Sequence, residues 1–238
     1  SFPTRRSSDL GTMRNNNTVV SNRKKMQAFR ENSTGAVFIY SINHFKAKTG
    51  SNATGANADQ GDGQGVFNAD RVSEAKSVVE EYKNNQSFYF DDDILVMGDL
   101  NAYAKEDPIR VFTDYGMTDL HRYFHQDTSY SYVFHGYAGY LDHALANSTL
   151  LGQITGMAAY HINSDEDDRF TYDGSNSDLT MFRCSDHDPV LVGLRLGAAA
   201  ESMTKASITS IVTSGTQPVI RNASGGYYRI TDMNGLYI

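Results

Sequence analysis

Short runs of apolar residues alternate with polar turns along most of the chain. Three runs are rich in β-branched residues and bounded by Gly, Asn or Asp, which is typical of buried strands. They are Val37–Ile42, Ile94–Met97 and Val190–Leu196. Weaker strand patterns occur at Tyr130–Phe134 and Tyr140–Ala146. The middle of the chain is therefore predicted to contain a sheet.

Two helices are predicted between these strands. The first spans Ala69–Asn84, with Asn68 as its N-cap and apolar residues at helical spacing. The second starts at Asp107-Pro108, where Asp suits a cap and Pro suits the first turn, and Gly116 would end it. Strands interleaved with helices predict an α/β or α+β domain in which helices pack on sheets.

The two ends of the chain differ in pattern from this middle part. Residues 1–12 are predicted to be a leader without a structural role, and residues 13–197 to form the main domain. Residues 198–207 include an Ala-rich stretch typical of a linker. Residues 208–238 contain short β-prone runs around Gly and Asn turns, which predicts a separate β-rich module.

Composition limits the classes of protein to which the chain can belong. With 238 residues and 39% hydrophobic residues, it can bury a core, and it has no apolar run long enough to span a membrane. The net charge of -7 disfavours nucleic-acid binding through bulk electrostatics, so any such binding needs a local site. Cys184 is the only cysteine, which excludes an internal disulfide and a cysteine-rich zinc site.

Four polar clusters lie at the ends of predicted strands, where a sheet displays side chains rigidly. They are Asn43-His44-Phe-Lys46, Gly98-Asp99-Leu-Asn101, Leu141-Asp142-His143-Ala144 and Ser185-Asp186-His187-Asp188-Pro189. Such groups suit hydrolysis of a phosphate ester, in which carboxylates hold Mg²⁺ and activate water while His and Asn neutralise phosphoryl oxygens. Each cluster alone is also typical of a turn, so the interpretation depends on their combination and order.

Other catalytic patterns do not compete with this interpretation. The sequence has no G-x-S-x-G motif and no phosphate-binding P-loop. Its histidines also lack the i, i+4 pairing of helical zinc sites. A phosphate ester therefore remains the favoured kind of substrate.

Residues 36–196 resemble the endonuclease/exonuclease/phosphatase superfamily, which includes DNase I-like enzymes, and within it the secreted bacterial nucleases. The motifs that mark the superfamily are Gly98-Asp-Leu-Asn101 and Ser185-Asp-His-Asp-Pro189. The motifs that narrow the resemblance to the secreted nucleases are His44-Phe-Lys46, Gly61-Asp-Gly-Gln-Gly65 and Tyr140-Leu-Asp-His-Ala144. Further similar segments are Asn43, Arg71, Tyr130-Ser-Tyr-Val-Phe134 and His161-Ile-Asn163. The resemblance implies a four-layer α/β sandwich of the DNase I-like type, with its N-terminal part missing and a short β-rich tail added. Its active site would lie at one rim of the sheets.

The resemblance also implies a role for each site residue. His44 would contact the scissile phosphate or protonate the leaving oxygen, with Asp142 orienting its ring. Asp99 and Asn101 would align the attacking water and steady the transition state. His187 would bind the phosphate or assist proton transfer.

The same resemblance implies a metal site and contacts to the substrate. Asp186 and Asp99 would ligate Mg²⁺, with Mn²⁺ or Ca²⁺ as alternatives. The implied substrate-binding residues are Asn43, Lys46, Arg71 and Asn101. The superfamily also has an upstream half that supplies a metal-binding Glu, and no counterpart is found between Leu10 and Val37. We therefore expect this chain to bind Mg²⁺ poorly and to be weakly active alone.

Two short resemblances concern the ends. Residues 1–10 resemble the in-frame translation of a sequencing adapter, and we expect the chain to be truncated at both ends. Residues 225–237 are similar to the opening of the β-sandwich sorting domains of type IX secretion, with a plain β-rich appendage as the alternative.

These features together lead to one expected function and two alternatives. The expected function is metal-dependent hydrolysis of extracellular DNA, or also RNA, by a secreted or surface-bound bacterial nuclease that is monomeric and has no membrane span. The alternatives are a phosphatase or sphingomyelinase-type phosphodiesterase of the same superfamily, and a non-catalytic surface module.

Overall fold

A mixed five-stranded sheet forms the centre of the molecule. The computed structural model describes residues 13–15, 18–21, 24–89, 91–166, 183–197, 208–214, 217–222 and 227–229. Its strands are β1 (Met13–Asn15), β2 (Thr18–Ser21), β3 (Lys24–Arg30), β4 (Val37–His44), β5 (Ile94–Asp99), β6 (Thr118–Asp119), β7 (Tyr132–Phe134), β8 (Tyr137–Gly139), β9 (Asp142–Ala146), β10 (Ile154–Ala159), β11 (Val190–Leu194), β12 (Ile208–Ser214), β13 (Gln217–Asn222) and β14 (Tyr227–Arg229). The central sheet has the order β3-β4-β5-β9-β6.

Four helices accompany the strands. They are α1 (Asn68–Tyr89), α2 (Asp107–Asp114), α3 (Leu120–His125) and α4 (Ser148–Leu151), with one 3-10 turn at Gly55–Asn57. None of the helices in the described part of the chain combines the length and the apolar character needed to cross a bilayer.

Alternation along the strands divides the core between the two faces of the central sheet. Residues one position apart on a strand point to opposite faces of the sheet. Ile39 and Val96 face α1 and α2, where they share a buried cluster with Ala75, Val78 and Tyr82. Leu95 and Ala144 face the other way, toward the antiparallel pair β10–β11 and the short helices α3 and α4. The central sheet thus lies between a helical layer and the β10–β11 sheet, and the predicted mixed α/β fold is confirmed.

The predicted strands and helices are present, with shifted ends. The first helix begins at Asn68, which was expected to be its cap, and extends five residues beyond Asn84. The Asn68 side chain instead donates a hydrogen bond to Asp107 at 2.9 Å. The second helix has Glu106 at its cap position, and Asp107 lies in its first turn.

The ends of the chain allow fewer statements. The leader at 1–12 and the linker at 198–207 lie outside the described residues. In the predicted β-rich module, β12, β13 and β14 form a three-stranded antiparallel sheet. The domain boundaries themselves remain predictions.

Candidate active site

Three predicted site residues lie side by side across the central sheet. His44, Asp99 and Asp142 occupy paired positions on β4, β5 and β9. Because laterally paired residues point to the same face of a sheet, all three side chains emerge together at one rim. His44 Nε2 lies 3.5 Å from Asp99 Oδ2, and 54% of the His44 side chain is exposed. The strand ends therefore bring the clusters together as the sequence pattern predicted.

Asn101 orients the carboxylate of Asp99. Its backbone N–H donates to Asp99 Oδ1 at 2.8 Å, and its side-chain Nδ2 donates to Asp99 Oδ2 at 3.1 Å. The same Nδ2 also donates to the Phe45 carbonyl at 3.1 Å, which ties Asn101 to the end of β4. Asn101 adopts φ +48°, a left-handed conformation that Asn tolerates better than most residues. Both oxygens of Asp99 are thus fixed in direction.

The pKa of Asp99 is raised above its ordinary value. Burial raises its pKa, the backbone hydrogen bond from Asn101 opposes that effect, and the nearby charge of Asp142 raises the pKa further. Two carboxylates that face each other disfavour each other's charge. A cation between them would relieve this repulsion and favour the ionised form of Asp99.

The imidazole of His187 is held by Asp142, and this contact corrects the predicted pairing of Asp142 with His44. His187 Nδ1 lies 2.7 Å from Asp142 Oδ2, which also accepts the hydroxyl of Ser131 at 2.7 Å. Burial alone would lower the pKa of His187, but the hydrogen bond to Asp142 and its charge more than offset this, so the pKa is raised. The carboxylate thus favours the protonated ring, whereas the acidic neighbour of His44 is Asp99.

The buried His121 holds the backbone of Asp142 in place. His121 Nε2 contacts the backbone oxygen of Asp142 at 2.8 Å, and its Nδ1 contacts Ser129 Oγ at 2.6 Å. Its ring stacks on Tyr140, with the ring centroids 4.1 Å apart. Burial lowers the pKa of His121 to about 3, so the ring is neutral and can donate Nε2–H to the Asp142 carbonyl while Nδ1 accepts from Ser129.

Arg71 was predicted to bind substrate, and the structure shows that its side chain is not accessible. Arg71 is fully buried, and its guanidinium donates to the backbone oxygens of Val66 and Gln64 at 2.8 Å each and of Lys46 at 3.3 Å. It therefore joins the loop before α1 to the end of β4. Lys46 lies 25 positions before Arg71 in the chain, so the sequence pattern alone could not reveal this contact.

Asn43 is likewise unavailable to a substrate, while Lys46 lies nearer the surface. Only 2% of Asn43 is exposed, and its Nδ2 donates to the Ser41 carbonyl at 3.0 Å and the Met97 carbonyl at 3.3 Å. The alternation of β4 turns Asn43 toward the helices and His44 toward the rim. Lys46 is half-buried, with its Nζ 4.3 Å from the centre of the Phe67 ring. Its predicted contact with substrate remains a prediction.

Close approach of β4 and β5 requires a glycine beside the site. Gly98 has φ +124°, and a Cβ placed on it would lie 1.9 Å from the backbone oxygen of Asn43. No other residue leaves room for that carbonyl. The Gly of Gly98-Asp99-Leu-Asn101 thus lets the two strands carry His44 and Asp99 at neighbouring positions.

The site contains a donor set that suits a hard divalent cation. Ligand atoms of Asp99, Asp142 and His187 lie within 4.8 Å of one another, the one such group of three among the described residues. Carboxylate oxygens are the ligands preferred by Mg²⁺ and Mn²⁺. Asp186, the other predicted ligand, is half-buried beside His187 and is not part of this group.

Two contacts that support the site could not be predicted from the sequence. Ser131 and His161 lie in sequence motifs noted above, but nothing in those motifs indicates that Ser131 binds Asp142. His161 Nδ1 lies 2.8 Å from Asp188 Oδ2, and its ring stacks on Tyr130 with the centroids 3.9 Å apart. Asp188 also accepts backbone N–H groups of residues 162–164. This buried carboxylate fixes the turn that precedes β11.

Solved structures with similar folds include an endonuclease/exonuclease/phosphatase from Bacteroides vulgatus, at 18% identity and a TM-score of 0.47 over 73% of this chain and 55% of that one. A mannosyl-6-phosphatase from Bacteroides thetaiotaomicron matches at 14% identity and 0.47, over 73% and 57%. An AP endonuclease from Archaeoglobus fulgidus matches at 11% identity and 0.44, over 73% and 72%. This chain thus spans little more than half of each Bacteroides protein. No curated protein matches it in sequence.

A family model provides the assignment. The model described as the Endonuclease/Exonuclease/phosphatase family matches residues 33–187, which is more than half of the chain. The match includes every predicted catalytic and metal-binding residue from His44 to His187. Members of this family hydrolyse phosphate esters and generally use divalent metal ions. The chain therefore belongs to the endonuclease/exonuclease/phosphatase family.

Proposed function

We propose that this chain is the catalytic part of a nuclease that hydrolyses phosphodiester bonds in DNA, and in RNA as a second substrate. The observation that carries the proposal is the pairing of His187 with Asp142 at 2.7 Å, beside the Asp99–Asn101 unit and the exposed His44. At this rim, two imidazoles and one carboxylate of fixed orientation therefore lie close together. An anionic ester needs such groups to accept and supply protons and to neutralise its oxygens.

Each side chain has a role that follows from its contacts. In hydrolysis, a water oxygen bonds to phosphorus, the phosphorus bond to the leaving oxygen breaks, and that oxygen takes up a proton. Asp99, fixed at both oxygens, is placed to orient the water and accept its proton. His187, whose protonated form Asp142 favours, donates a hydrogen bond to the phosphate. His44 lies exposed beside Asp99 and contacts the phosphate or supplies the proton that the leaving oxygen takes up.

We also propose that the enzyme uses Mg²⁺, with Mn²⁺ as a substitute. Asp99 and Asp186 would hold the ion, and Asp142 lies close enough to add its charge. A bound divalent cation would polarise a phosphoryl oxygen and offset part of its charge. The raised pKa of Asp99 supports this proposal, because a buried carboxylate near a second one gains from a cation.

Location and assembly are proposals that the sequence supports. We propose a secreted or surface-bound bacterial enzyme, because the motifs around Asn43, Gly61 and Gly139 resemble those of secreted nucleases. Residues 225–237 would direct the protein to the type IX secretion machinery. We expect the enzyme to act as a monomer.

The test is cleavage of supercoiled plasmid by this chain at high concentration. Nicking is measured with Mg²⁺, with EDTA, and with the variants His187→Ala and Glu80→Ala. Glu80 lies exposed on α1 and serves as the control. We expect nicking that requires metal, is lost in His187→Ala and is kept in Glu80→Ala.

A parallel assay of sphingomyelin and inositol phosphates separates the other functions. Phosphocholine or phosphate release with an intact plasmid would assign the chain to a phosphatase or phospholipase instead. Absence of hydrolysis in both assays would overturn the enzymatic proposal in favour of a surface module.

A further inference from the structure

A short hairpin beside the active site presents aromatic side chains on one of its faces. Strands β7 and β8 pair Tyr132 with Gly139 and Phe134 with Tyr137. His135 and Gly136 connect the strands with φ +50° and +81°, the left-handed values of a two-residue type I′ turn. Because paired residues share a face, Tyr132, Phe134 and Tyr137 all lie on the same side.

This aromatic face is open to solvent. Tyr137 is 81% exposed and Phe134 is 52% exposed, the two highest values among the large hydrophobic side chains of the described residues. The rings of Tyr132 and Phe134 are nearly parallel, at 13° with centroids 6.2 Å apart. The three side chains thus form a strip in which Tyr132 and Phe134 have nearly parallel rings and Tyr137 is the most exposed.

A fourth ring extends the strip where the hairpin has a glycine. A Cβ on Gly139 would lie 2.8 Å from a ring carbon of Tyr103, so the Tyr103 ring occupies the space that a side chain would fill. Lys48 Nζ lies 5.0 Å from the centre of that ring. The Lys48 ammonium is ion-paired with Glu106, so it helps to position the Tyr103 ring and is not free to neutralise a ligand.

The strip is continuous with the catalytic site. Tyr132 forms an isolated β-bridge with His187, and the two ring centroids are 4.6 Å apart. His187 in turn contacts Asp142 at 2.7 Å. A ligand that lies along the strip therefore reaches the phosphate-hydrolysing groups through Tyr132.

We propose that this aromatic face, made of Tyr103, Tyr132, Phe134 and Tyr137, stacks the bases of single-stranded nucleic acid next to the scissile phosphate. The inference rests on the proposed nuclease function and adds how the substrate is held. A net charge of -7 disfavours binding by neutralisation of many phosphates. Aromatic stacking adds attraction through the bases, which does not come from neutralisation of phosphates. Bases in a duplex are covered on both faces by their neighbours, so the strip selects unstacked strands.

Binding without catalysis tests the proposal directly. A short labelled single-stranded DNA is titrated with the chain in EDTA, and fluorescence anisotropy gives the Kd. An abasic strand of equal length and the corresponding duplex are the ligand controls. We expect the single strand to bind more tightly than either control.

Substitutions at Tyr137 identify the type of contact. Tyr137→Ala should raise the Kd by about 5-fold to 100-fold, the range given by loss of one stacked base. Tyr137→Phe should bind as the wild type does, because the ring is kept, while Tyr137→Leu should bind as weakly as Tyr137→Ala. Tyr123→Ala, on the exposed side of α3, is the matched control and should have no effect.

The outcomes separate this inference from the proposed function. Equal Kd values for normal and abasic strands, or for the wild type and Tyr137→Ala, would overturn base stacking even if plasmid is cleaved. Base-dependent binding without any cleavage would instead count against the nuclease and leave the base site standing. Failure to bind any strand, with self-association lost in Tyr137→Ala, would make the strip a protein contact and overturn the inference.

Discussion

Asp142 Oδ2 lies 2.7 Å from Nδ1 of His187, although 45 positions separate the two residues in the chain. The carboxylate comes from the central sheet and the imidazole from the turn before β11 in the second sheet. The contact therefore joins the two sheets at the rim. Any change that separates the sheets should disconnect the imidazole from its carboxylate.

Asp142→Asn should keep the shape of this contact and remove its charge. We expect kcat to fall by about 100-fold to 10,000-fold, the range for loss of a positioned proton-transfer group. Because Asp142 raises the pKa of His187, the activity that needs the protonated ring should be lost at a lower pH in the variant. The pH profile of cleavage measures this, and Ser131→Ala serves as a milder control. An unchanged profile would contradict the role of Asp142.

Asp99→Asn should reduce the response to metal. In the wild type, Mg²⁺ at a concentration high enough to fill a weak site is expected to raise the Tm, because it binds the folded site and relieves the repulsion between Asp99 and Asp142. The variant should show a smaller rise. Thermal unfolding with and without Mg²⁺ gives the comparison, with Asp107→Asn, at the start of α2, as the control. Equal rises in both variants would remove Asp99 from the metal site.

Gly98→Ala should destabilise the fold strongly. Its new Cβ would lie 1.9 Å from the Asn43 carbonyl, so one strand must move. We expect the free energy of unfolding to fall by about 3 kcal/mol or more. Gly116→Ala is the matched control, since Gly116 also has positive φ but nothing within 4 Å of the new atom. That variant should lose only about 1 kcal/mol in urea unfolding. Similar losses in both would rule out the close approach as the cause.

Arg71→Met should affect stability and leave substrate binding unchanged. The variant orphans three backbone oxygens that Arg71 now satisfies, which should cost about 3 kcal/mol of unfolding free energy. The Kd for single-stranded DNA, measured at a temperature where the variant is folded, should equal that of the wild type. A weaker Kd with unchanged stability would restore the original assignment of Arg71 to substrate binding.

Acid should unfold the protein through His121. Its pKa in the folded state is lowered by burial to about 3, against an ordinary value of 6.5. The unfolded chain therefore binds the proton first, and the stability present above pH 6.5 is lost as pH falls toward 3. This residue alone should cost about 1.4 kcal/mol per pH unit in that window. His121→Phe should flatten the dependence of unfolding free energy on pH between 6 and 4, and an unaltered slope would contradict it.

Local patterns predicted the fold and the rim better than they predicted the partners. The positions of His44, Asp99 and Asp142 at strand ends could be predicted from the runs of apolar residues, because the alternation within a strand and the end of that strand depend on nearby residues. The pairing of His187 with Asp142 depends on how two sheets pack. The burial of Arg71 and Asn43 involves carbonyls of nearby residues and one carbonyl from far along the chain in each case, Lys46 for Arg71 and Met97 for Asn43. A polar residue at the end of a predicted strand therefore indicates where the site lies, but it does not indicate which side chain that residue will contact.

Helix ends show the same limit. Asn68 has the composition of a cap, yet its side chain reaches Asp107 in another helix, so tertiary contact overrides the local preference. The exposed aromatic face of the β7–β8 hairpin was also not foreseen. The sequence predicted a weak strand there, and alternation alone does not say which face meets solvent.

The lateral row of His44, Asp99 and Asp142 limits how this protein can be altered by insertion or deletion. One residue gained or lost inside β4, β5 or β9 would turn a member of the row to the opposite side of the sheet. The mostly exposed polar segment at 51–63 lies outside these strands and can change length without that penalty. The substrate preference of the proposed enzyme should therefore be altered by replacing loops, with the lengths of these strands left unchanged.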